Sequence, residues 1–341
     1  MIKFDKIKIV SSIENVKSLN EDVFENKVKD GCIVEQRYTM MSPYYLYIEA
    51  DYREQELILE FTGKILKDDY KDLIHVNNIH TCLSNISDLG LCDLNIDGIL
   101  TDGEVVKADV CLDVDYPDCK ALTKSLRANV SNFNKYLVRN IGDNFVIEKN
   151  VQTKGYKRRL TIYDKAKEIQ KAGNRGFLSI LDNPQLLLDY FDGKIRFELN
   201  LNTKEQIRKS LNIYDTSIGA VLNSTATPIW DLLDNAIEES DGDTACSNLA
   251  DLKNILILEH CGGDLAKVEA LLRNYYSKGT HISQVMKPYR VLAAKLSKNL
   301  SPSLKQQLRN LLLEVLILFG IFIYCVFKSK VYSNKWVITF W

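Results

Sequence analysis

The sequence predicts an α+β fold: an antiparallel sheet with packed helices, followed by an all-helical C-terminal region. Two observations predict the first part. Stretches in which every second residue is apolar recur up to about residue 202, as half-buried strands require, and stripes of apolar residues at spacings of three and four separate them. A third predicts the rest, because strand patterns vanish from about Thr203 onward.

Taken in order, KFDKIKIV near the start, YYLYIEADY over Tyr44 to Tyr52 and ELILEFTGKIL over Glu56 to Leu66 alternate as strands. Ile79, Cys82, Leu83 and Ile86 form one helical stripe before the loop at Gly90. A strand follows at Val105 to Tyr116, then an amphipathic helix carrying Leu122, Leu126, Val130, Phe133 and Leu137. NFVIE and KRRLTIYDK resume the alternation, a short helix runs near Pro184 to Tyr190, and KIRFELNLN over Lys194 to Asn202 closes the sheet. The acidic, small-residue run EESDGDTACSN reads as a surface linker. The expected division is a catalytic domain over 1–213, a linker over 214–243, a helical domain over 244–300 and a hydrophobic tail over 301–341.

With 341 residues, 46% hydrophobic and 26% charged, the chain has the make-up of a folded protein of one large or two modest domains. A formal net charge of -1 excludes a globally basic polyanion binder, so any nucleic-acid site must be local. The eight cysteines lack CxxC or CxC spacing and read as reduced thiols. The charged opening MIKFDKIKIV lacks the apolar core of an export signal, and a cytoplasmic setting is expected.

Three segments carry chemistry-bearing residues. On a strand over KADVCLDVDY, Asp109, Asp113 and Asp115 share one face with Cys111, and carboxylates so placed repel one another unless a cation lies between them. Hard oxygen ligands suit Mg2+ or Mn2+. Without a cation, the same pattern is a solvated sheet face. In KRRLTIYDKAKEI, Arg159, Thr161, Tyr163 and Lys165 line one face, and Lys157, Arg158 and Arg159 belong to a basic strip over Val151 to Arg175 suited to a DNA backbone, or else to a solvated face. In KIRFELNLN, Arg196, Glu198 and Asn200 share a face; beside the aspartate strand, Glu198 completes a metal site and Arg196 binds a phosphate.

Together these support one reaction. A tyrosine hydroxyl titrates near pH 10, so phenolate at neutral pH carries a deficit of about 4 kcal/mol. Lys165 and a metal held by the acids would reduce it. Phenolate attack on a phosphodiester leaves a 5′-phosphotyrosine and a free 3′-hydroxyl. The four histidines, His75, His80, His260 and His281, form neither a His-x-His pair nor an HExxH motif, which disfavours metal held on paired histidines.

The order SPYYLYIE, KADVCLDVDY, RLTIYDKAKE and KIRFELNLN resembles phage and plasmid replication proteins of the filamentous-phage gene II/X type and the related trans-acting plasmid Rep proteins. The resemblance spans roughly Met1 to Leu211. It implies rolling-circle initiation: a nick at a replication origin, a covalent tyrosyl intermediate and a 3′ end for the host replication machinery. By that likeness Asp109 and Asp113 match the family's acidic pair, Tyr163, Asp164, Lys165 and Glu168 its second motif, and Arg196 and Glu198 its third. Lys107 stands where the family has arginine, keeping the charge but losing the bidentate fork. Tyr45, Tyr47, Tyr116 and Tyr156 remain alternative nucleophiles.

The C-terminal segment from Gly262 to Leu296 reads as two helices broken at Gly279, a helix-turn-helix candidate whose second helix offers Lys287 and Arg290 to DNA. The alternatives to a nickase are therefore an origin binder that does not cut and a helix-turn-helix regulator. A homodimer is one further expectation. The apolar part of the tail, Val315 to Phe327, is shorter than the roughly 20 residues of a membrane helix. A buried terminal helix is expected there, with a membrane anchor or an out-of-frame extension as alternatives.

Overall fold

Period-two alternation in this chain resolves into one ten-stranded, wholly antiparallel sheet. A computed structural model describes residues 1–116, 118–129, 135–150, 158–237, 248–261, 264–276, 281–298 and 305–312. The strands are β1 (Phe4–Ser12), β2 (Val16–Leu19), β3 (Glu25–Lys29), β4 (Cys32–Met40), β5 (Leu46–Asp51), β6 (Glu56–Thr62), β7 (Cys92–Leu94), β8 (Glu104–Asp115), β9 (Tyr136–Ile141), β10 (Asn144–Lys149), β11 (Arg159–Asp164) and β12 (Lys194–Leu201). The large sheet runs β3-β4-β5-β6-β1-β8-β12-β11-β10-β9, and β2 pairs with β7 apart from it. The long strands β1 and β8 thus sit in the middle, with β12 beside β8.

Each face has its own chemistry because successive side chains point to opposite sides. Ile7 and Ile9 of β1, Val110 and Val114 of β8, Leu160 and Ile162 of β11, and Phe197 and Leu199 of β12 are buried in one continuous core. Helices supply the other half of that core: α1 (Ile79–Ser87) through Cys82, Leu83 and Ile86; α7 (Lys204–Leu211) through Ile207 and Leu211; α8 (Ile218–Leu222) through Val221; and α9 (Pro228–Ala236) through Leu232 and Leu233. Local signals start these helices. Thr203 caps α7 by accepting from the Gln206 amide at 3.2 Å, and Pro228 opens α9 where a missing N–H is harmless.

Several expectations are corrected. The helix predicted through Leu137 is shorter: α3 runs Cys119–Asn129 with Leu122 and Leu126 buried, while Leu137 lies in β9. Helical spacing and a strand can share one apolar residue, and here Gly142 decides: its φ of +59° lets a two-residue turn pair β9 with β10. Val130 and Phe133 lie outside the described residues. The first structural unit does not stop at Ile213, because α8, α9 and Ile237 bury their apolar residues in the same core as the sheet. Nor is all of 301–341 a separate tail: a helix over 305–312 buries Leu308 and Leu312 in that core, with Lys305 3.0 Å from Asp234. Strands β2, β3, β4, β7 and β9 were not anticipated.

Helices α10 (Leu249–His260), α11 (Leu265–Arg273) and α12 (Ile282–Lys298) form a second, smaller core around Ile255, Leu258, Val268, Met286 and Tyr289. The breaks at Gly262-Gly263 and at 277–280, and the apolar run from residue 313 on, lie outside the described residues. Among the described residues no helix is long and apolar enough to cross a membrane.

Phe197 sits wholly buried at the centre of β12, between β8 and β11. Phe197→Ala is expected to lower the free energy of unfolding by about 3–5 kcal/mol, read from the urea midpoint; a shift below about 1 kcal/mol would place this strand outside the core.

Candidate active site

The polar face of the central strands is where the chemistry-bearing segments meet. The register sets Arg196 opposite Asp113, Glu198 opposite Cys111 and Asn200 opposite Asp109 across β12 and β8. On the far side of β12, Tyr163 lies opposite Arg196 and Thr161 opposite Glu198. On the far side of β8, Lys6 of β1 lies opposite Asp109. KIRFELNLN thus does neighbour the aspartate strand, the condition on which its Arg196 and Glu198 could join the site, and the face divides into a closed end and an open end.

Arg196 organises the closed end. It is fully buried, and a guanidinium out of water must find acceptors for its fork. Its Nε and Nη2 donate to the two oxygens of Asp113, both at 2.7 Å, and Nη1 donates to Asp5 Oδ1 at 2.8 Å and to the Tyr70 hydroxyl at 2.9 Å. Tyr70 belongs to a 3-10 segment over Gly63–Asp72 and donates onward to Asp5 at 2.7 Å. The lid is aromatic: Tyr70 meets Phe177 of α5 (Arg175–Leu178) and Phe191 of α6 (Pro184–Phe191) edge-on. Burial alone would raise Asp5, but Arg196 and then Lys165 outweigh it and hold the carboxyl below its usual range.

Lys165 begins α4 (Lys165–Ile169), which Asp164 caps by accepting from the Lys167 amide at 3.0 Å. Its ammonium is buried, donates to the Tyr70 hydroxyl at 3.0 Å and pairs with Glu168. Glu168 also takes a hydrogen bond from Asn174 at 3.1 Å, and Lys64 donates to the Asn174 side-chain oxygen Oδ1 at 2.6 Å. The expected service of Lys165 to the Tyr163 hydroxyl is not what this arrangement provides.

The open end holds two acids without a buried cation. Asn200 donates to Asp109 Oδ1 at 2.7 Å and to Glu198 Oε1 at 3.4 Å, linking them. The Tyr163 hydroxyl donates to Glu198 Oε2 at 2.9 Å. Burial, with Asp5 and Asp109 beside it, pushes the Glu198 carboxyl up to about 7, and burial raises Asp109 as well. Tyr163 is 8% exposed; burial and Glu198 push its phenol well above the ordinary value, opposite to the lowering expected from nearby cations.

The remaining predicted residues are placed elsewhere. Asp113 is committed to Arg196, so neither acts as the free ligand or the phosphate hook that the sequence suggested. Asp115 points into solvent at the strand end and pairs with Lys194 at 2.6 Å. Of the basic strip, Arg159 is 3.2 Å from Glu148, Arg158 is half-buried just before β11, and Lys157 lies outside the described residues. Lys287 and Arg290 are exposed on α12, well separated in the chain from the sheet. Among the described residues the group of three carboxylates whose oxygens converge is Glu35, Glu49 and Asp51, where Glu35 is 2.9 Å from Lys27. Asp5, Tyr70 and Lys6 were missed. Asp5 and Lys6 stand on a strand read only for its apolar residues, and nothing in the sequence of Tyr70 distinguishes it from the chain's other tyrosines.

No family model matches this chain, and no curated protein does. Among solved structures, the rolling circle replication initiator protein from Geobacillus stearothermophilus aligns over 72% of this chain and 90% of its own, with 14% identity and a TM-score of 0.35.

Two expected outcomes follow from the site's charges. Arg196→Met leaves the buried Asp113 without its cation and Asp5 with Lys165 and Tyr70 alone, and is expected to cost about 3–5 kcal/mol in denaturant unfolding, with Arg196→Lys recovering little of it because the fork is lost. Glu198 is raised, so the folded state holds its proton over a window, about pH 4.5 to 7, in which the unfolded chain has released it. Stability therefore falls as pH rises through that window. Glu198→Gln is expected to melt higher than the native protein at about pH 8 and level with it at about pH 4, by differential scanning calorimetry.

Proposed function

We propose that this protein is a replication initiator that nicks one DNA strand at an origin by metal-assisted tyrosine transesterification. The observation that carries the reading is the Tyr163–Glu198–Asn200–Asp109 chain of hydrogen bonds on the open sheet face. A protein that only bound DNA would have no use for two raised carboxyls facing a phosphodiester.

In the proposed step the Tyr163 oxygen forms a bond to phosphorus and the bond from phosphorus to the 3′ oxygen breaks. The phenol proton passes to Glu198, whose Oε2 accepts the Tyr163 hydrogen bond at 2.9 Å. The 3′ oxygen takes a proton from solvent and leaves as a hydroxyl, and the strand's 5′ phosphate stays on Tyr163. Asp109 and Glu198 are the residues that would hold Mg2+ or Mn2+. Their chemistry fits, since two hard carboxylates short of positive charge suit an ion that keeps several waters and takes its remaining ligands from the phosphate. When bound, the ion supplies charge neutralisation to the phosphate oxygens.

A second reading, an origin binder that does not cut, is favoured by one observation: the burial of the Tyr163 hydroxyl. The two separate on incubation with supercoiled DNA spanning the protein's own coding region, with Mg2+ or Mn2+, analysed on a denaturing gel for a protein-linked strand. The nickase reading expects an adduct that disappears with EDTA, in Tyr163→Phe and in Asp109→Asn. An adduct that survives Tyr163→Phe moves the nucleophile to another tyrosine. Tight binding with no nick favours the second reading.

A further inference from the structure

Strand pairing leaves a gap at the end of β8, on the side away from β12. The strand β1 begins at Phe4, opposite Val110, and just before it the Lys3 carbonyl accepts from the Cys111 amide at 2.9 Å. Beyond that bond β8 continues to Asp115 with β12 as its one neighbouring strand. Alternate residues of an antiparallel strand turn their main-chain groups to the same side, so Asp113, two residues past Cys111, presents its amide to the gap. The gap opens into a cavity of about 110 Å³ whose walls include Leu73, Val110, Leu112, Ile229 and Trp230. Lys3, Lys71 and the start of α9 also line it.

We propose that this cavity is a small-molecule site distinct from the acid pair of Asp109 and Glu198, taking a monocarboxylic acid with a phenyl-sized body. It stands independently of the nicking reading, since none of its walls is a residue of the proposed reaction. The body is set by size and lining: apolar voids of roughly 150 Å³ stay dry and take benzene, and this one is somewhat smaller but open at one side, where the rest of a ligand can project. The charge is set by the lysines. Burial lowers the Lys3 ammonium and outweighs the opposing pull of Asp72 and Asp113, so an anion beside it would offset a cost that the fold already carries. Asp113 is spent on Arg196, which leaves Lys3 and Lys71 facing Asp72 with one positive charge in excess, and a single negative charge balances that. The start of α9 has the same preference. Its Thr227 places no side-chain cap on it, and its first internal bond runs from the Asp231 amide to Thr227 at 3.0 Å, so the Ile229 and Trp230 amides precede the helix's own bonding. Asp231, the acid of that turn, is exposed and is not part of the cavity wall. A carboxylate held here would also accept from the Asp113 amide and so touch the strand that anchors Arg196.

The test is saturation-transfer NMR titration of the full chain with three probes: 3-phenylpropionate, its uncharged counterpart 3-phenylpropan-1-ol, and acetate. The phenyl acid is expected to bind about tenfold more tightly than the alcohol, and acetate, which has the charge without the body, is expected to show no binding over the same concentrations. Lys3→Gln with Lys71→Gln is expected to bring the acid to the level of the alcohol and to leave the alcohol unchanged. Ala226→Leu enlarges a side chain on the cavity wall and is expected to abolish binding of both. Should that variant fail to fold, the lysine variant decides alone. Equal binding of acid and alcohol by the native protein, or binding of neither, overturns the proposal. So does acid binding that is unchanged in the lysine variant or in a folded Ala226→Leu, because the ligand then lies elsewhere.

Discussion

A guanidinium with no access to water must be surrounded by acceptors, and the arrangement of the polar sheet face follows from how Arg196 finds them. Its fork ties β12 to β8 through Asp113 and to β1 through Asp5, and Tyr70 adds the 3-10 segment laid across the sheet. Tyr70 passes the constraint to Lys165 and so to the start of α4, immediately after β11. One cation thus fixes four neighbouring elements in register. Because Asp113 and Asp5 are consumed in satisfying it, Asp109 and Glu198, farther along the same face, share Asn200, with the Tyr163 hydroxyl on Glu198 and the half-buried Lys6 opposite Asp109. The deficit of positive charge at the open end is the counterpart of its full satisfaction at the closed end.

That division explains why a carboxyl near 7 and a phenol far above its ordinary value lie 2.9 Å apart. Both shifts have the same origin, burial among negative groups, and both favour neutral forms in the absence of an added cation. A ligand that brings positive charge to the face would lower both. The closed end is insulated from such a ligand by Phe177 and Phe191, so its ion pairs serve the fold and not the substrate.

Much of this was legible in the sequence, and the failures have physical reasons. Alternation placed Asp109, Asp113, Arg196, Glu198 and Tyr163 on one face correctly, since a strand's period of two depends on nothing beyond the chain. What alternation cannot supply is the depth at which a side chain lies. Asp113 and Asp115 have the same parity, yet one is buried against the wholly buried Arg196 opposite it and the other is solvated beside Lys194 at the strand end. Of the basic strip, Arg159 stands beside Glu148 and Lys165 begins a helix, placements that a strand's alternation does not contain. Asp30-Gly31, both at positive φ in the turn between β3 and β4, was a readable hairpin signal that went unread, and with it the edge of the sheet. Asp5 and Tyr70 could not have been found from spacing, because they reach Arg196 from 191 and 126 residues away.

The most direct measurement is the titration of Glu198 itself, followed through its side-chain carboxyl carbon by NMR from about pH 4 to 9, with and without Mg2+. A midpoint near 7 that falls on adding Mg2+ is expected, because the acid pair is short of positive charge and open to a cation. A midpoint at the ordinary glutamate value, or a raised one that Mg2+ leaves unmoved, would contradict the assignment of this face as a metal-assisted site.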